Sequence, residues 1–491
     1  MATSASGPVL EQSPWSGRIF NGEWISARGG SVDVTEPATG KVLTRVGLAN
    51  ASDVSTAARL AAGAQPAWAA TPVRERAEVF HRVAAYLQRN MEEFSAYIGR
   101  ETGGPFLKGQ HEVREAQAQL RAAAALILQP DGVTLPSTPG RLNFAKRVPL
   151  GVVGVISPFN YPLILSLRAV APALAVGNAV VLKPDVQTPV SGGVLLALAF
   201  AEAGLPPGVL QMLPGDVEAG EAMCTDPNIQ MISFTGSTAT GRRVGELAGK
   251  HLKKVALELG GKNSLIILED ADLDLAAKNV AFGAYLHQGQ ICMSTGRVLV
   301  HESIANALTE RLVAKAQHLP VGDPASGQVA LGPLINERQR DRVHAIVSQA
   351  ISEGAELRAG GTYDGLFYKP TVLRGVRPSM RAFREEVFGP VANITTFASD
   401  EEAIALANDT EYGLSAGVLS GSVGRALAIA ERLKVGLVHV NDQTIADEVL
   451  NPFGGTGASG NHTSMGGPAD PGAYTQWRWT TVKQSAPPYP F

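Results

Sequence analysis

Two segments carry residues able to do covalent chemistry. In His287-Gln288-Gly289-Gln290-Ile291-Cys292-Met293-Ser294 a thiol follows a glycine-containing bend in an apolar neighbourhood. A cysteine exposed at a bend is a candidate nucleophile; the alternative is a buried structural thiol. In Leu257-Glu258-Leu259-Gly260-Gly261-Lys262-Asn263 a carboxyl group ends a strand just before two glycines, which let chain or ligand approach closely. An acid held between leucines has its pKa raised toward that of a general base, whereas a solvated or paired one has no such role. The second cysteine, Cys224 in Ala-Met-Cys-Thr-Asp-Pro, has no supporting context and reads as structural.

Other segments could serve these two. In Ser157-Pro158-Phe159-Asn160-Tyr161-Pro162 two prolines hold a short loop rigid around an amide. Asn160 there either donates to a developing oxyanion or bonds its own backbone in a turn. Phe234-Thr235-Gly236-Ser237-Thr238-Ala239-Thr240-Gly241 is a strand running into small residues that open a helix, whose free N–H groups can bind a phosphate. It is neither G-x-G-x-x-G nor a P-loop, since Arg242-Arg243 follow Gly241. Lys183 in Val181-Leu182-Lys183-Pro184 and Glu386 in Glu385-Glu386-Val387-Phe388-Gly389-Pro390 are ribose binders or solvated surface charges.

Such groups need elements to hold them. Residues 52–70, 74–100 and 112–128 are rich in Ala, Arg, Glu and Leu at helical spacing. From Val152 the pattern changes to short apolar runs between helices: Val152–Ile156, Ala179–Lys183, Val209–Leu213, Met231–Phe234 and Lys254–Leu257. That alternation predicts a parallel sheet with crossover helices and a ligand site at the carboxyl ends of its strands. A second series follows Leu259, with strands expected at Ser264–Ile267, Arg297–Val300, Val391–Phe397, Ala416–Leu419 and Gly436–Val440. Segments 129–148 and 474–491 fit neither series; apolar, extended and broken by prolines, they read as arms that pair with another subunit.

Composition narrows the setting. Across 491 residues, 42 Lys+Arg stand against 45 Asp+Glu, a net charge of −3, which argues against nucleic acid or an anionic membrane as partner. Hydrophobic residues at 45% and charged ones at 18% are the balance of a globular protein with a large core. Two cysteines are too few for a disulfide framework and fit a reducing, cytoplasmic compartment. The first residues, Met1 to Pro8, lack the basic and apolar regions of a secretory signal. Val148–Leu167 is free of charge over about the length of a membrane span, yet Pro149, Gly151, Gly154, Pro158 and Pro162 would break a lipid-exposed helix.

Taken together and in order, Phe159-Asn160, Lys183-Pro184, Phe234-Thr235-Gly236-Ser237, Glu258-Leu259-Gly260-Gly261-Lys262, Gly289-Gln290-Ile291-Cys292 and Glu386-Val387-Phe388-Gly389-Pro390 resemble the aldehyde dehydrogenase superfamily from about Ser31 onward. The resemblance implies an α/β fold: a Rossmann-type cofactor domain (1–128 and 149–258), an α/β catalytic domain (259–473) and oligomerisation arms (129–148 and 474–491). It implies a homodimer or homotetramer. Carried over by motif, Cys292 is the nucleophile, Glu258 the general base, and Asn160 with the Cys292 N–H the oxyanion hole. Lys183 and Glu386 hold the riboses of NAD, Ser237 its pyrophosphate, and Phe388 packs near the nicotinamide. Ser157, Phe159, Gly215, Gly236 and Leu259 complete the implied cofactor contacts. The reaction would be oxidation of an aldehyde to its acid through a thiohemiacetal and a thioester, with no metal.

Arg147-Val148-Pro149-Leu150-Gly151-Val152-Val153-Gly154, Leu286-His287-Gln288-Gly289-Gln290 and the ending Pro488-Tyr489-Pro490-Phe491 are most similar to the benzaldehyde dehydrogenases within that superfamily. An aryl pocket needs apolar walls, and Tyr161, Leu165, Ile291, Met293 and Phe453 are the expected lining. Arg168, eight residues past Asn160, resembles an arginine that in semialdehyde dehydrogenases reaches a substrate carboxylate, so a carboxylated or ortho-hydroxylated aldehyde is the rival substrate. Val186 stands where many NAD-preferring members place a Glu, which leaves NADP open as well. A catalytically silent binding protein of the same fold is the alternative from another class; the presence of Cys292, Glu258 and Asn160 together speaks against it.

Overall fold

The computed structural model describes residues 9–491; the signal-free reading of Met1–Pro8 falls outside them. The expected alternation builds two seven-stranded sheets. The first orders its strands as Lys254–Glu258, Ile229–Thr235, Val152–Ile156, Ala179–Lys183, Leu210–Met212, Arg18–Phe20 and Trp24–Ser26. Its first five strands are mutually parallel, and the last two join antiparallel. Val152–Ile156 is buried at every position, as a strand covered by helices on both faces must be. The chain builds outward from this strand in one direction and then returns to its other side with Ile229–Thr235. That reversal opens a crevice beyond the carboxyl ends of the two strands.

The second sheet runs Glu356–Ala359, Thr371–Arg374, Val391–Phe397, Thr295–His301, Asn263–Ile267, Ser415–Leu419 and Leu437–Val440, with Glu356–Ala359 the only antiparallel member. Only Leu259–Lys262 separates the last strand of the first sheet from a central strand of the second. The carboxyl end of one sheet therefore meets the amino ends of the other.

Three expectations change. The helix expected over 74–100 is two, Val73–Arg89 and Met91–Thr102, because the chain leaves helical geometry at Asn90 (φ −106°, ψ 16°). The third helix begins earlier than 112, at Phe106, immediately after Pro105. The extended arms pair first with each other: Thr475–Lys483 runs antiparallel to Arg141–Pro149 from Thr475↔Pro149 to Lys483↔Arg141, with Gly132–Thr134 on the far side. Trp477 and Trp479 remain half exposed on this three-stranded sheet. The charge-free stretch resolves into a strand end, a buried strand, a loop and the helix Pro162–Ala175, and no described helix is long and apolar enough to cross a membrane.

Candidate active site

Cys292 lies in the irregular segment entering the strand Thr295–His301, a path held from several sides. The Asn263 amide donates to the carbonyls of Cys292 and Ser294, both at 2.8 Å. The Thr444 hydroxyl donates to the Met293 carbonyl at 2.7 Å, and the Gln290 side-chain carbonyl accepts from the Ile335 N–H at 3.0 Å. Gly261 must be a glycine, since a Cβ there would lie 2.6 Å from the Cys292 carbonyl oxygen. Just upstream, His287 and Gln288 adopt left-handed φ values of 48° and 55°, strain that the surrounding packing sustains at a bend re-aiming the chain. The Cys292 N–H finds no acceptor among the described residues. Burial pushes the Cys292 thiol up to about 12, with the Glu386 and Glu258 carboxylates adding to the effect.

Asn160 follows the buried strand Val152–Ile156, and its amide donates to the Gln290 carbonyl at 2.8 Å. An amide nitrogen carries two hydrogens, so one remains available on the cavity side. Glu258 ends the edge strand of the first sheet, is 3% exposed, and neither carboxyl oxygen has a protein partner. Burial raises its pKa well above the ordinary carboxylate value; Arg168 opposes that rise and Asp447 adds to it. The strand end is fixed from the glycine-rich tail, where the Leu259 N–H donates to the Ser459 carbonyl at 2.9 Å and the Leu257 N–H to the Asn461 side chain at 3.0 Å.

Beside Cys292 and Asn160 lies a cavity of about 270 Å³. Tyr161, Leu165, Arg168, Ile291, Met293 and Phe453 all line it, beside Asn160 and Cys292. Further residues line it that no local pattern marks, among them His111 and Glu115 on the helix Phe106–Leu126, Phe282, and Asp447 on an irregular loop. Asp447 matters most, because it pairs with Arg168, whose guanidinium also sits 4.5 Å over the Phe453 ring. Arg168 is therefore already neutralised by a carboxylate of its own chain. A substrate carboxylate arriving there would meet Asp447 as well, with the buried Arg168 Nη1 left without a partner among the described residues.

A second cleft, of about 530 Å³, occupies the crevice where the strand order reverses. Ser157, Phe159, Lys183, Gly215, Gly236, Ser237 and Val186 line it together. Ser237 caps the helix Thr238–Lys250, its hydroxyl accepting from the Thr240 N–H at 3.3 Å, while the Thr238 and Ala239 N–H groups have no acceptor among the described residues. Lys183 reaches across to the Gly215 carbonyl at 2.5 Å. Free amides at a helix start, an ammonium at a strand end and close-packed glycines suit the phosphates and ribose of a dinucleotide. Leu259 instead packs behind the wall, its side chain filling the space where Gly241 has no Cβ. On the side toward Cys292, the Phe388 ring stands edge-on to Phe159 at 5.9 Å, and Glu386 accepts from the Gly261 N–H at 3.2 Å. Burial raises the Glu386 carboxyl to about 7. Cys224 is buried in the core, as its sequence context implied.

Comparison with known proteins places this geometry. The model of the "Aldehyde dehydrogenase family" matches residues 24–480. A vanillin dehydrogenase of Amycolatopsis sp. is 51% identical, covering 98% of this chain and 99% of that protein. An NAD-dependent benzaldehyde dehydrogenase of Pseudomonas putida is 50% identical over 98% of this chain and 99% of its own length. Among solved structures, an NAD-dependent aldehyde dehydrogenase from Sinorhizobium meliloti superposes with a TM-score of 0.92 at 36% identity, covering 96% of each chain. With matching sequence, fold and site, the chain is a member of the aldehyde dehydrogenase family.

Proposed function

We propose that this protein oxidises aromatic aldehydes to their carboxylic acids, with NAD as the working cofactor. The observation that carries the substrate class is the cavity beside Cys292, walled by Tyr161, Leu165, Ile291, Met293 and Phe453, whose only described cation is paired with Asp447. A flat apolar ring matches those walls. The full-length likeness to a benzaldehyde and a vanillin dehydrogenase supports the same class. A semialdehyde would instead bring a carboxylate beside Asp447 and Glu115.

In the mechanism, the Cys292 sulfur attacks the aldehyde carbon, and its proton leaves to Glu258 through solvent. The resulting oxyanion is held by the free hydrogen of the Asn160 amide and by the Cys292 N–H. The cleft lined by Ser157, Lys183 and Ser237 would hold NAD, which would supply the hydride acceptor for that carbon. Cys292 then carries a thioester, and Glu258, having passed the first proton on to solvent, takes a proton from the water that attacks it and returns it to the departing sulfur, releasing the acid and the thiol. Aldehyde, NAD⁺ and water become acid, NADH and a proton. Ser157, Phe159, Lys183, Gly215, Gly236, Ser237, Glu386 and Phe388 make up the cofactor site with Leu259 backing its wall, the first sheet forms the cofactor domain and the second the catalytic domain. Exposed Trp477, Trp479, Leu142 and Val482 on the three-stranded sheet favour assembly into a homodimer or homotetramer. The near-neutral charge and two unpaired cysteines favour a cytoplasmic setting.

Two outcomes follow. NADH formation measured by absorbance should be fast with benzaldehyde and salicylaldehyde and at least about tenfold slower in kcat/KM with succinic semialdehyde, the scale of one uncompensated charge contact. A semialdehyde preference would move the substrate assignment to a carboxylated aldehyde. The pH profile follows from the raised Glu258 and Cys292 groups. Each is protonated until pH exceeds its raised pKa, and each works only after losing its proton. Turnover should therefore climb from mildly acidic to alkaline pH; a flat profile across neutrality would contradict both assignments.

A further inference from the structure

The helix Phe106–Leu126 buries a charged pair that no step above uses. Lys108 and Glu112 are 6% and 0% exposed and pair with each other one helical turn apart. Desolvating two charges is unfavourable unless every remaining donor and acceptor is engaged, and here, apart from the Thr102 hydroxyl that accepts from Lys108 at 3.3 Å, the engaged partners fall on one short stretch of chain. The Lys108 ammonium donates to the Asn160 backbone carbonyl at 2.8 Å and lies 4.6 Å over the Tyr161 ring. The other Glu112 oxygen accepts from the Leu163 and Ile164 N–H groups at 3.0 and 3.3 Å. Those are first-turn amides of the helix Pro162–Ala175, which has no side-chain cap of its own. The pair thus grips the chain at Asn160 and again just after it. On the opposite side the Asn160 amide is tied to Gln290, two residues before Cys292.

We propose that Lys108, tied by Glu112, is the positioning residue for the oxyanion donor: it fixes the Asn160 peptide so that the one free amide hydrogen points at the aldehyde oxygen that becomes the oxyanion when Cys292 attacks. This rests on the reading of Asn160 as oxyanion donor. Lys108 touches neither substrate nor cofactor and acts only through Asn160. Its removal leaves the nucleophile, the base and both cavities intact but lets the amide tilt, and misplacement of about 1 Å in such a group costs on the order of 10²-fold in rate.

The test compares Lys108→Met, Asn160→Ala and their combination in two reactions of the full protein: p-nitrophenyl acetate hydrolysis without nicotinamide, and benzaldehyde oxidation with NAD. The ester reports acylation of Cys292 whatever aldehyde the enzyme prefers. Lys108→Met should slow acylation about 10- to 100-fold, with KM moved less than about twofold. Adding it to Asn160→Ala should cost less than a further twofold. Independent, multiplying losses would overturn the proposal, as would an unimpaired Lys108→Met. A second variant separates aim from folding: Lys108→Met/Glu112→Gln removes both charges and should melt near the parent temperature while acylation stays slow. Recovery of acylation in that variant would make the pair structural only and sink the proposal. If Asn160→Ala itself acylates normally, the oxyanion reading fails and takes the proposal with it. A parent enzyme silent toward both substrates would overturn the Cys292 assignment and the proposal together.

Discussion

Cys292→Ala is expected to abolish aldehyde oxidation, with kcat reduced by about 10⁴-fold or more, the scale on which losing a covalent nucleophile is felt. The cofactor cleft should survive the change. Its lining comes from the strand ends at Ile156–Phe159, Lys183 and Phe234–Ser237, and the Cys292 side chain takes no part in it. The structural ties of this segment also run through backbone carbonyls of Cys292, Met293 and Ser294, which alanine leaves in place. Binding of NADH, followed by quenching of tryptophan fluorescence, should therefore match the parent enzyme. An active Cys292→Ala enzyme would remove the covalent mechanism altogether; loss of NADH binding would mean that the thiol supports the cleft.

Glu258→Gln should separate the two halves of the reaction. The substitution is isosteric, and because neither Glu258 oxygen has a protein partner, it breaks no hydrogen bond within the fold. What it removes is the ability to take a proton from water. Stopped-flow mixing with benzaldehyde and NAD should give a burst of NADH approaching one equivalent per site, then a steady state slowed about 10²-fold or more, the usual contribution of a general base. The accumulated thioester should be visible by mass spectrometry of the quenched protein. Equal slowing of burst and steady state would show instead that Glu258 acts mainly in generating the thiolate.

Much of this site is legible in the chain because short rigid motifs carry it. Asn160 is bracketed by prolines, Glu258 by a strand and two glycines, and Cys292 by a bend, so local sequence reports local geometry. The parallel strands are legible for a similar reason, as each is a short apolar run between helices. What local sequence hides is whatever depends on distant packing. Asp447 lies in a loop without periodicity, and nothing near it signals that it meets Arg168. Lys108 and Glu112 look like an ordinary solvent-facing helix pair and become an active-site support only because another helix covers them. The joining of Arg18–Phe20 and Trp24–Ser26 to the first sheet, and the arms pairing with each other, are long-range registers that no local pattern encodes.

The pairing of Thr475–Lys483 with Arg141–Pro149 also bears on the order in which the molecule is made. Arg147 donates to the Thr475 hydroxyl across 328 residues of chain, Asn178 donates to the Tyr474 carbonyl across 296, and Gly460 bridges to Glu258. A ribosome releases the strand Val152–Ile156 and the loop bearing Asn160 long before the segments that complete the fold around them, and contacts of such wide separation close slowly. The nascent polypeptide therefore stays open along the edge of its first sheet until translation has passed Gly460, and along Arg141–Pro149 until it has passed Lys483. Termination just before Thr475 would leave every catalytic side chain encoded while stripping Arg141–Pro149 of its longest partner strand.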